Sequence, residues 1–165
     1  RGLGDVYKRQ KSKSGITVKG IHDLAVRFSK CCSPVPGDEI VGFVTRGRGI
    51  TIHRTDCINV LNLPEIERSR LIDAEWQGVE EDNSAATYST EISIFANNRI
   101  GMFVDISKIF TEREIDIKTM NSRVNKQGKA TITMSFDIHG IEELNNLMAK
   151  LRQIDGVLDI ERTTG

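Results

Sequence analysis

The chain has 165 residues, enough for one medium domain or two small ones and too few for a large enzyme with a deep cleft. Lysine plus arginine equals aspartate plus glutamate, at 23 each, so the net charge indicates no nucleic-acid or acidic partner, and such a contact would need a local patch. No stretch approaches the ~20 apolar residues that span a bilayer, and three cysteines do not suit a secreted disulfide framework. These features predict a cytoplasmic protein without a membrane segment.

The first half of the chain has short elements. Residues 1–14 lack hydrophobic periodicity and are expected to be unstructured, as foreign or linker sequence. Residues 15–77 predict a small mixed α/β module. A helix is expected over 21–30, where apolar residues recur at helical spacing. After it we expect a turn at 33–38, strands at 39–45, 50–53 and 71–76, and a short helix that Thr55 or Asp56 caps and that ends at Asn62.

The second half is more regular. Residues 78–87 are acidic, small and polar, and they predict a linker before a domain over 88–165. Strands are expected at 88–96, 115–124, 129–138 and 157–162, with two amphipathic helices between them. The first helix is expected to bury Phe103, Ile106 and Phe110, and the second Leu144, Leu147, Met148, Leu151 and Ile154. The order βαββαβ predicts a ferredoxin-like antiparallel sheet with both helices on one face, so the fold class is α+β.

The segment between the first strand and helix of this half, NNRIGMF, is similar to the N-R-x-G-[LM]-[LF] pattern of ACT domains. Residues 88–163 resemble that family as a whole. A helix N-terminus presents unpaired amides, which suit the carboxylate of an amino acid. The resemblance implies an amino-acid site at Asn97, Asn98, Arg99, Ile100 and Gly101, with Asp116 receiving the ammonium group. The alternative is that Asn98 only caps the helix and Gly101 only permits close packing.

Cysteine and histidine in the first half suggest a metal site. Cys31, Cys32, His53 and Cys57 could supply the four ligands of a tetrahedral zinc ion. Because neighbouring side chains on a strand point to opposite faces, Cys31 and Cys32 can share one metal only in a kinked loop. The alternative is that the cysteines are buried, reduced and packed like small hydrophobic residues.

Three runs in the first half, CCSPVPGD, GFVTRGRG and HRTDC, are similar to the conserved-cysteine module that precedes the ACT domain in RelA/SpoT proteins. This module is also called the zinc-finger-like or RIS domain. The two modules in this order resemble the C-terminal regulatory region of (p)ppGpp synthetase/hydrolases. The resemblance implies a parent that transfers pyrophosphate from ATP to GTP or GDP, often hydrolyses the product, and acts in the stringent response through catalytic domains elsewhere in its chain.

The same resemblance implies partners. Contact with large-subunit rRNA near the A-site tRNA is expected through Lys30, Arg46, Arg48 and Arg54, although these could equally be solvated cations around a glycine-rich turn. A branched-chain amino acid is the expected ACT ligand, and an ACT–ACT homodimer is the expected assembly.

No phosphate-binding loop, catalytic triad or dinucleotide fingerprint is present in the sequence, so we expect no enzyme activity from this chain itself. Two other functions remain open from the sequence. One is a free-standing amino-acid-binding regulator that dimerises through its ACT domain. The other is a zinc-dependent enzyme that uses Cys31, Cys32 and Cys57.

Overall fold

The computed structural model describes residues 16–18, 25–47, 49–76 and 86–163. The chain divides into two compact units, the first before Thr87 and the second over Thr87–Thr163. Residues 1–14 and most of the predicted linker lie outside the described part. No helix within that part has both the length and the apolar character needed to cross a bilayer.

The first unit is built on a five-stranded sheet with the strand order β1-β5-β3-β4-β2. Its strands are β1 (Ile16–Val18), β2 (Val26–Phe28), β3 (Ile40–Val44), β4 (Ile50–Arg54) and β5 (Leu71–Trp76). A short helix, α1 (Ile58–Leu61), and a 3-10 helix (Glu65–Arg70) lie between β4 and β5. Side chains alternate along β4, so Ile50 and Ile52 are fully buried and His53 faces the other way.

Two predictions for this unit are wrong. The expected helix over 21–30 is instead strand β2, because Val26–Phe28 pairs in parallel with Ile50–Ile52. The Ile50 amide donates to the Ala25 carbonyl at 2.8 Å, so tertiary pairing overrides the helical spacing. Residues 21–24 lie outside the described part. Helix α1 begins after Cys57 rather than Thr55 or Asp56, and it has no side-chain cap.

The second unit confirms the predicted βαββαβ order and the α+β class. Its elements are β6 (Tyr88–Asn97), α2 (Met102–Glu112), β7 (Ile117–Val124), β8 (Lys129–Ile138), α3 (Ile141–Arg152) and β9 (Val157–Arg162). The sheet is antiparallel with the order β7-β8-β6-β9. Phe110 of α2 packs edge-on against Phe136 of β8, with ring centroids 5.0 Å apart.

The buried stripe of α2 differs from the prediction. Met102, Ile106 and Phe110 are buried, whereas Phe103 is 41% exposed. Residues four apart share one helix face, so the stripe begins at the first residue of the helix and turns Phe103 outward. A short apolar surface therefore lies next to the turn that precedes α2.

Candidate functional site

Three sulfur atoms and one imidazole nitrogen meet in the first unit. The candidate ligand atoms of Cys31, Cys32, His53 and Cys57 all lie within 4.8 Å of one another. Cys31 Sγ is 3.4 Å from both His53 Nδ1 and Cys57 Sγ, and Cys32 Sγ is 3.9 Å from His53 Nδ1. Tetrahedral zinc holds two sulfurs about 3.8 Å apart and a sulfur and a nitrogen about 3.6 Å apart, from its bond lengths. The four residues therefore lie close enough to hold one metal ion.

A kinked turn brings the two adjacent cysteines to the same place. The Ser33 amide donates to the Ser29 carbonyl at 3.1 Å, which closes one helix-like turn around Cys31 and Cys32. Ser33 leaves this turn with φ 47°, in the left-handed region that non-glycine residues rarely adopt. Because Cys31 and Cys32 lie in a turn and not in a strand, their side chains can both face the same cluster.

The strand β4 and the start of α1 supply the other two side chains. His53 lies in β4, and the amide of the next residue, Arg54, donates to Cys32 Sγ at 3.3 Å. The Cys57 amide donates to the Arg54 carbonyl at 3.1 Å, which turns the chain back toward the cluster. Backbone hydrogen bonds thus hold in place both segments that carry the candidate ligands, the turn with Cys31 and Cys32 and the segment from His53 to Cys57.

Burial and hydrogen bonding shift the pKa values of the three thiols in different directions. Burial raises the pKa of Cys32 to about 12 and also raises the pKa of Cys57. Burial acts in the same direction on Cys31, but hydrogen bonds led by Ser29 and Asn59 outweigh it, so the Cys31 pKa is lowered. Burial lowers the pKa of His53, which keeps its imidazole neutral and able to donate a lone pair to a metal. A cation binding here must displace protons from thiols.

The predicted cationic residues are not equivalent. Lys30 and Arg46 are exposed on turns, and Arg48 lies outside the described residues. Arg54 is only 3% exposed, and its Nε lies 3.0 Å from Asp56 Oδ1. Its guanidinium is buried in the domain and cannot reach an RNA phosphate. The prediction that placed Arg54 among the RNA-contacting cations is therefore wrong, and its role is structural.

The turn before α2 is held by Arg99. Its guanidinium donates to Asp105 Oδ2 at 2.6 Å and to the Asp155 carbonyl at 2.8 Å. Gly101 precedes the first residue of α2 and has φ 86°. No side chain in the described part of the chain caps this helix, so the alternative in which Asn98 caps α2 is wrong. No sequence pattern pointed to Asp105 and Asp155, because their roles depend on contacts made only after folding.

The remaining predicted site residues lie at two separate places in the second unit. Ile100 is fully exposed and Val104 is 69% exposed. Asn97 accepts a hydrogen bond from Lys129 at 2.6 Å. Asp116 has an 82% exposed side chain that pairs with Lys118 at 3.3 Å. An apolar surface and backbone amides thus lie at the N-terminal end of α2. The carboxylate of Asp116 lies before β7 at the opposite end of the sheet, because Ile117 pairs with Phe136 whereas Asn97 pairs with Lys129.

Comparison with known protein families accounts for both units. Residues 16–77 match the RelA/SpoT RIS domain, and residues 84–162 match the ACT domain. The chain belongs to the RelA/SpoT family. Its two matched domains are the regulatory RIS and ACT domains, not catalytic ones, and they account for the Cys/His cluster and the βαββαβ unit respectively.

Individual RelA/SpoT relatives agree with this assignment. The chain is 36% identical over 158 residues to a GTP pyrophosphokinase of Escherichia coli (strain K12), covering 95% of this chain and 21% of the relative. It is 31% identical over 164 residues to a GTP pyrophosphokinase of Streptomyces coelicolor, covering 99% of this chain and 19% of the relative. It therefore spans about one fifth of these relatives.

A solved ACT domain from a GTP pyrophosphokinase of Chlorobium tepidum is 26% identical, covers 47% of this chain and 99% of its own, and has a TM-score of 0.42.

Proposed function

We propose that this chain is the regulatory C-terminal region of a (p)ppGpp synthetase/hydrolase, a class of enzyme that transfers pyrophosphate from ATP to GTP or GDP and often hydrolyses the product, in the stringent response. The observation that carries this proposal is the succession of a RIS and an ACT domain within 165 residues. In this function the chain relays amino-acid starvation to catalytic domains of the same cytoplasmic protein. The relay requires a two-state element that a partner biases.

The test compares the longer parent protein with a version that ends before the RIS domain. We expect similar basal (p)ppGpp synthesis and loss of the stimulation that starved ribosomes give. The isolated chain should neither make nor degrade (p)ppGpp. Ribosome stimulation that is unchanged by the truncation, or turnover by the isolated chain, would contradict the proposed regulatory role.

Ribosome contact is proposed through the exposed cations of the RIS domain, Lys30 and Arg46. Lys30 adjoins Cys31, and Arg46 lies on the turn that the Thr45 amide closes by donating to the Gly49 carbonyl at 2.8 Å. Cations on short turns reach phosphate oxygens without disturbing the sheet. Arg48, on the same turn in sequence, is included on its position alone.

The variants Lys30→Glu and Arg46→Glu test this contact. Each lost phosphate contact should reduce the salt dependence of ribosome binding by about one unit of slope. Lys150→Glu, which changes an exposed lysine of the ACT domain in the same way, is the matched control. Equal ribosome pelleting by all three variants would make Lys30 and Arg46 ordinary solvated residues.

Zinc is the metal that the Cys/His cluster fits best. Three thiolates and one imidazole favour zinc over calcium or magnesium, which prefer oxygen ligands. Zinc would join the turn after β2 to β4 and α1 by bonds stronger than the packing of Cys32, Cys57 and Val60. Its proposed role is structural, since all four ligand positions are taken by the protein.

Elemental analysis of protein purified without chelator tests the zinc proposal. We expect close to one zinc per chain, lost in His53→Gln and Cys57→Ser. His139→Gln is the matched control, because His139 is exposed in the other domain and pairs with Glu143. Zinc that is absent from the wild-type chain would favour the alternative of buried, reduced thiols.

Amino-acid binding is proposed at the turn before α2, at a junction with a second ACT domain. Gly101 supports this, since a side chain there would meet only the Arg99 guanidinium, at 3.6 Å. The exposed Ile100 and Val104 would be covered by the second domain. Asp116 of that second domain would receive the ammonium group, because Asp116 of the same domain lies at the far end of the sheet from the turn. Valine, isoleucine and leucine are the proposed ligands.

Calorimetry and sedimentation test the two parts of this proposal separately. Asp116→Asn should weaken amino-acid binding at least tenfold, while Asp137→Asn, which removes the other carboxylate near Lys118, should leave binding unchanged. Ile100→Asp should shift the sedimentation of the chain toward monomer. If no amino acid binds at millimolar concentrations, the amino-acid site is contradicted and the turn serves only as a docking surface. If the wild-type chain sediments as a monomer, the pairing of two ACT domains is contradicted.

A further inference from the structure

The three sulfur atoms of the RIS domain differ in access and in spacing. Cys31 is partly exposed, whereas Cys32 and Cys57 are 1% and 0% exposed. Cys31 Sγ lies 3.4 Å from Cys57 Sγ, and these residues belong to separate segments, the turn after β2 and the start of α1. A solvent-borne oxidant therefore reaches one sulfur first, and that sulfur already has a second one in contact.

We propose that Cys31 and Cys57 form a reversible disulfide when a hydroperoxide reaches the cluster, and that this disulfide expels the metal ion. The inference rests on the metal site proposed above. Loss of two sulfur ligands would leave a cation with only Cys32 and His53, too few to retain zinc in a structural site. The cluster would thus respond to oxidants as well as stabilise the domain.

Geometry selects this pair over the others. Cys32 receives the Arg54 amide at 3.3 Å on its sulfur, which fixes its side chain on the buried side. A disulfide between Cys31 and Cys32 would close a small ring through one peptide bond and strain it. Cys31 and Cys57 have no such constraint, because 26 positions separate them in the chain.

The chemical steps balance with hydrogen peroxide as the oxidant. The Cys31 thiolate attacks one peroxide oxygen, the O–O bond breaks, and the departing hydroxide takes a proton and becomes water. The Cys57 thiolate then attacks the Cys31 sulfur, the S–S bond forms and the S–O bond breaks, and the departing hydroxide takes a proton from solvent and becomes a second water. The two sulfurs lose two electrons in total, the peroxide gains them, and zinc leaves as the divalent ion.

The structural change should stay local. The main apolar cluster of the RIS domain contains no cysteine; it consists of Ile16, Val18, Ile50, Ile52 and Ala74. Trp76 packs against that cluster and stacks on Phe28 with ring centroids 5.6 Å apart. Oxidation is expected to move the turn carrying Lys30 while the sheet and Trp76 keep their environment.

The test treats the zinc-loaded chain with hydrogen peroxide. We expect one zinc released to a chromogenic chelator per disulfide, a fall from three free thiols to one, and a cross-linked peptide joining Cys31 to Cys57. Dithiothreitol with added zinc should restore the starting state. Trp76 fluorescence should stay constant throughout, which distinguishes local oxidation from unfolding.

Variants and metal-free protein decide between the possible outcomes. Cys32→Ser should still form the disulfide, and Cys31→Ser should not. A disulfide that includes Cys32, one between chains, or oxidation to sulfinic acid without a disulfide would overturn the inference. If the metal-free chain forms the Cys31–Cys57 disulfide but never binds zinc, the metal proposal fails and the disulfide stands. Bound zinc that resists excess peroxide would overturn the redox inference and leave the metal proposal intact.

Discussion

The ACT domain buries a broad apolar layer, whereas the RIS domain divides its interior between an apolar cluster and a sulfur-containing one. Strand β8 of the ACT domain alone buries Ala130, Ile132, Met134, Phe136 and Ile138. The second RIS cluster consists of Cys32, Cys57 and Val60, with a few partly buried neighbours. Apolar burial stabilises a domain in proportion to its area, and this second cluster is small. The contrast between the two interiors predicts that packing alone stabilises the ACT domain, whereas the RIS domain also depends on the proposed metal site.

The largest effect is expected from emptying the ACT core. Phe136→Ala should lower the free energy of unfolding of the ACT domain by about 3–5 kcal/mol, because Phe136 is fully buried and contacts Phe110. Hydrogen exchange measured separately for each domain checks this. If RIS amides lose protection to the same extent, the two cores are not independent and the contrast between them fails.

Metal removal should act on the RIS domain alone. At free zinc one hundred times the dissociation constant, binding contributes about 2.7 kcal/mol, and a chelator should remove it. Trp76, the only tryptophan of the chain, lies in the RIS domain and reports its unfolding by fluorescence. A chelator that leaves the RIS unfolding curve unchanged would show that packing suffices there too.

The same stabilisation should depend on pH with a definite sign. The raised pKa values of Cys32 and Cys57 keep both thiols protonated at neutral pH, and zinc must displace those protons. The zinc-dependent part of RIS stability should therefore increase from pH 6 to pH 8, and binding should release protons. Calorimetry in buffers of different ionisation enthalpy measures that release.

Replacing Gly49, the residue before β4, by alanine should lower the free energy of unfolding of the RIS domain by about 2–3 kcal/mol. Gly49 has φ 83°, and a side chain there would clash with the Ala25 carbonyl oxygen, so Gly49→Ala should separate β2 from β4. Gly47→Ala is the matched control, because Gly47 has φ 77° and open space, and about 1 kcal/mol is expected from it. Equal losses in the two variants would mean that β2 contributes little.

The smallest expected effect is a gain of stability in the ACT domain. Thr90 is 1% exposed, and its hydroxyl has no hydrogen-bond partner among the residues that the structure describes. Thr90→Val should raise the free energy of unfolding by about 1 kcal/mol, because it removes a buried polar group and keeps the side-chain shape. Thr131→Val, on the half-exposed side of β8, should change it little. Destabilisation by Thr90→Val would point to a partner for the hydroxyl, such as an ordered water.

The sequence predicts the ACT domain better than the RIS domain, because the ACT sheet has one broad buried face. The alternation along Lys129–Ile138 predicts strand β8 because one face of the sheet is buried and the other is not. In the RIS domain, β2 owes its conformation to Ile50–Ile52, a partner far along the chain, and local spacing therefore predicts a helix wrongly. The three-residue strand β1 is too short to produce a pattern.

The candidate sites show the same limit. The residue types of the Cys/His cluster are visible in the sequence, and the structure brings them together. Their convergence depends on the turn that the Ser33 amide closes by donating to the Ser29 carbonyl, and on contacts with β4 and α1 that form only on folding. The burial of Arg54 depends on Asp56 and on the packing around it, so charge alone groups it wrongly with Lys30 and Arg46.

The pairing of the first and last RIS strands has a consequence for how the domain forms during synthesis. Ile16 lies opposite Trp76, so β1 has no partner until β5 has left the ribosomal tunnel. Strand β3 also waits for β5 on one side, and its unpaired edge stays open to other nascent chains during that interval. The five-stranded RIS sheet is therefore complete only after the whole domain has been translated. A truncation that removes Ile16–Val18 moves this edge of the sheet to β5, and one that removes Leu71–Trp76 moves it to β3 and takes away the partner of β1.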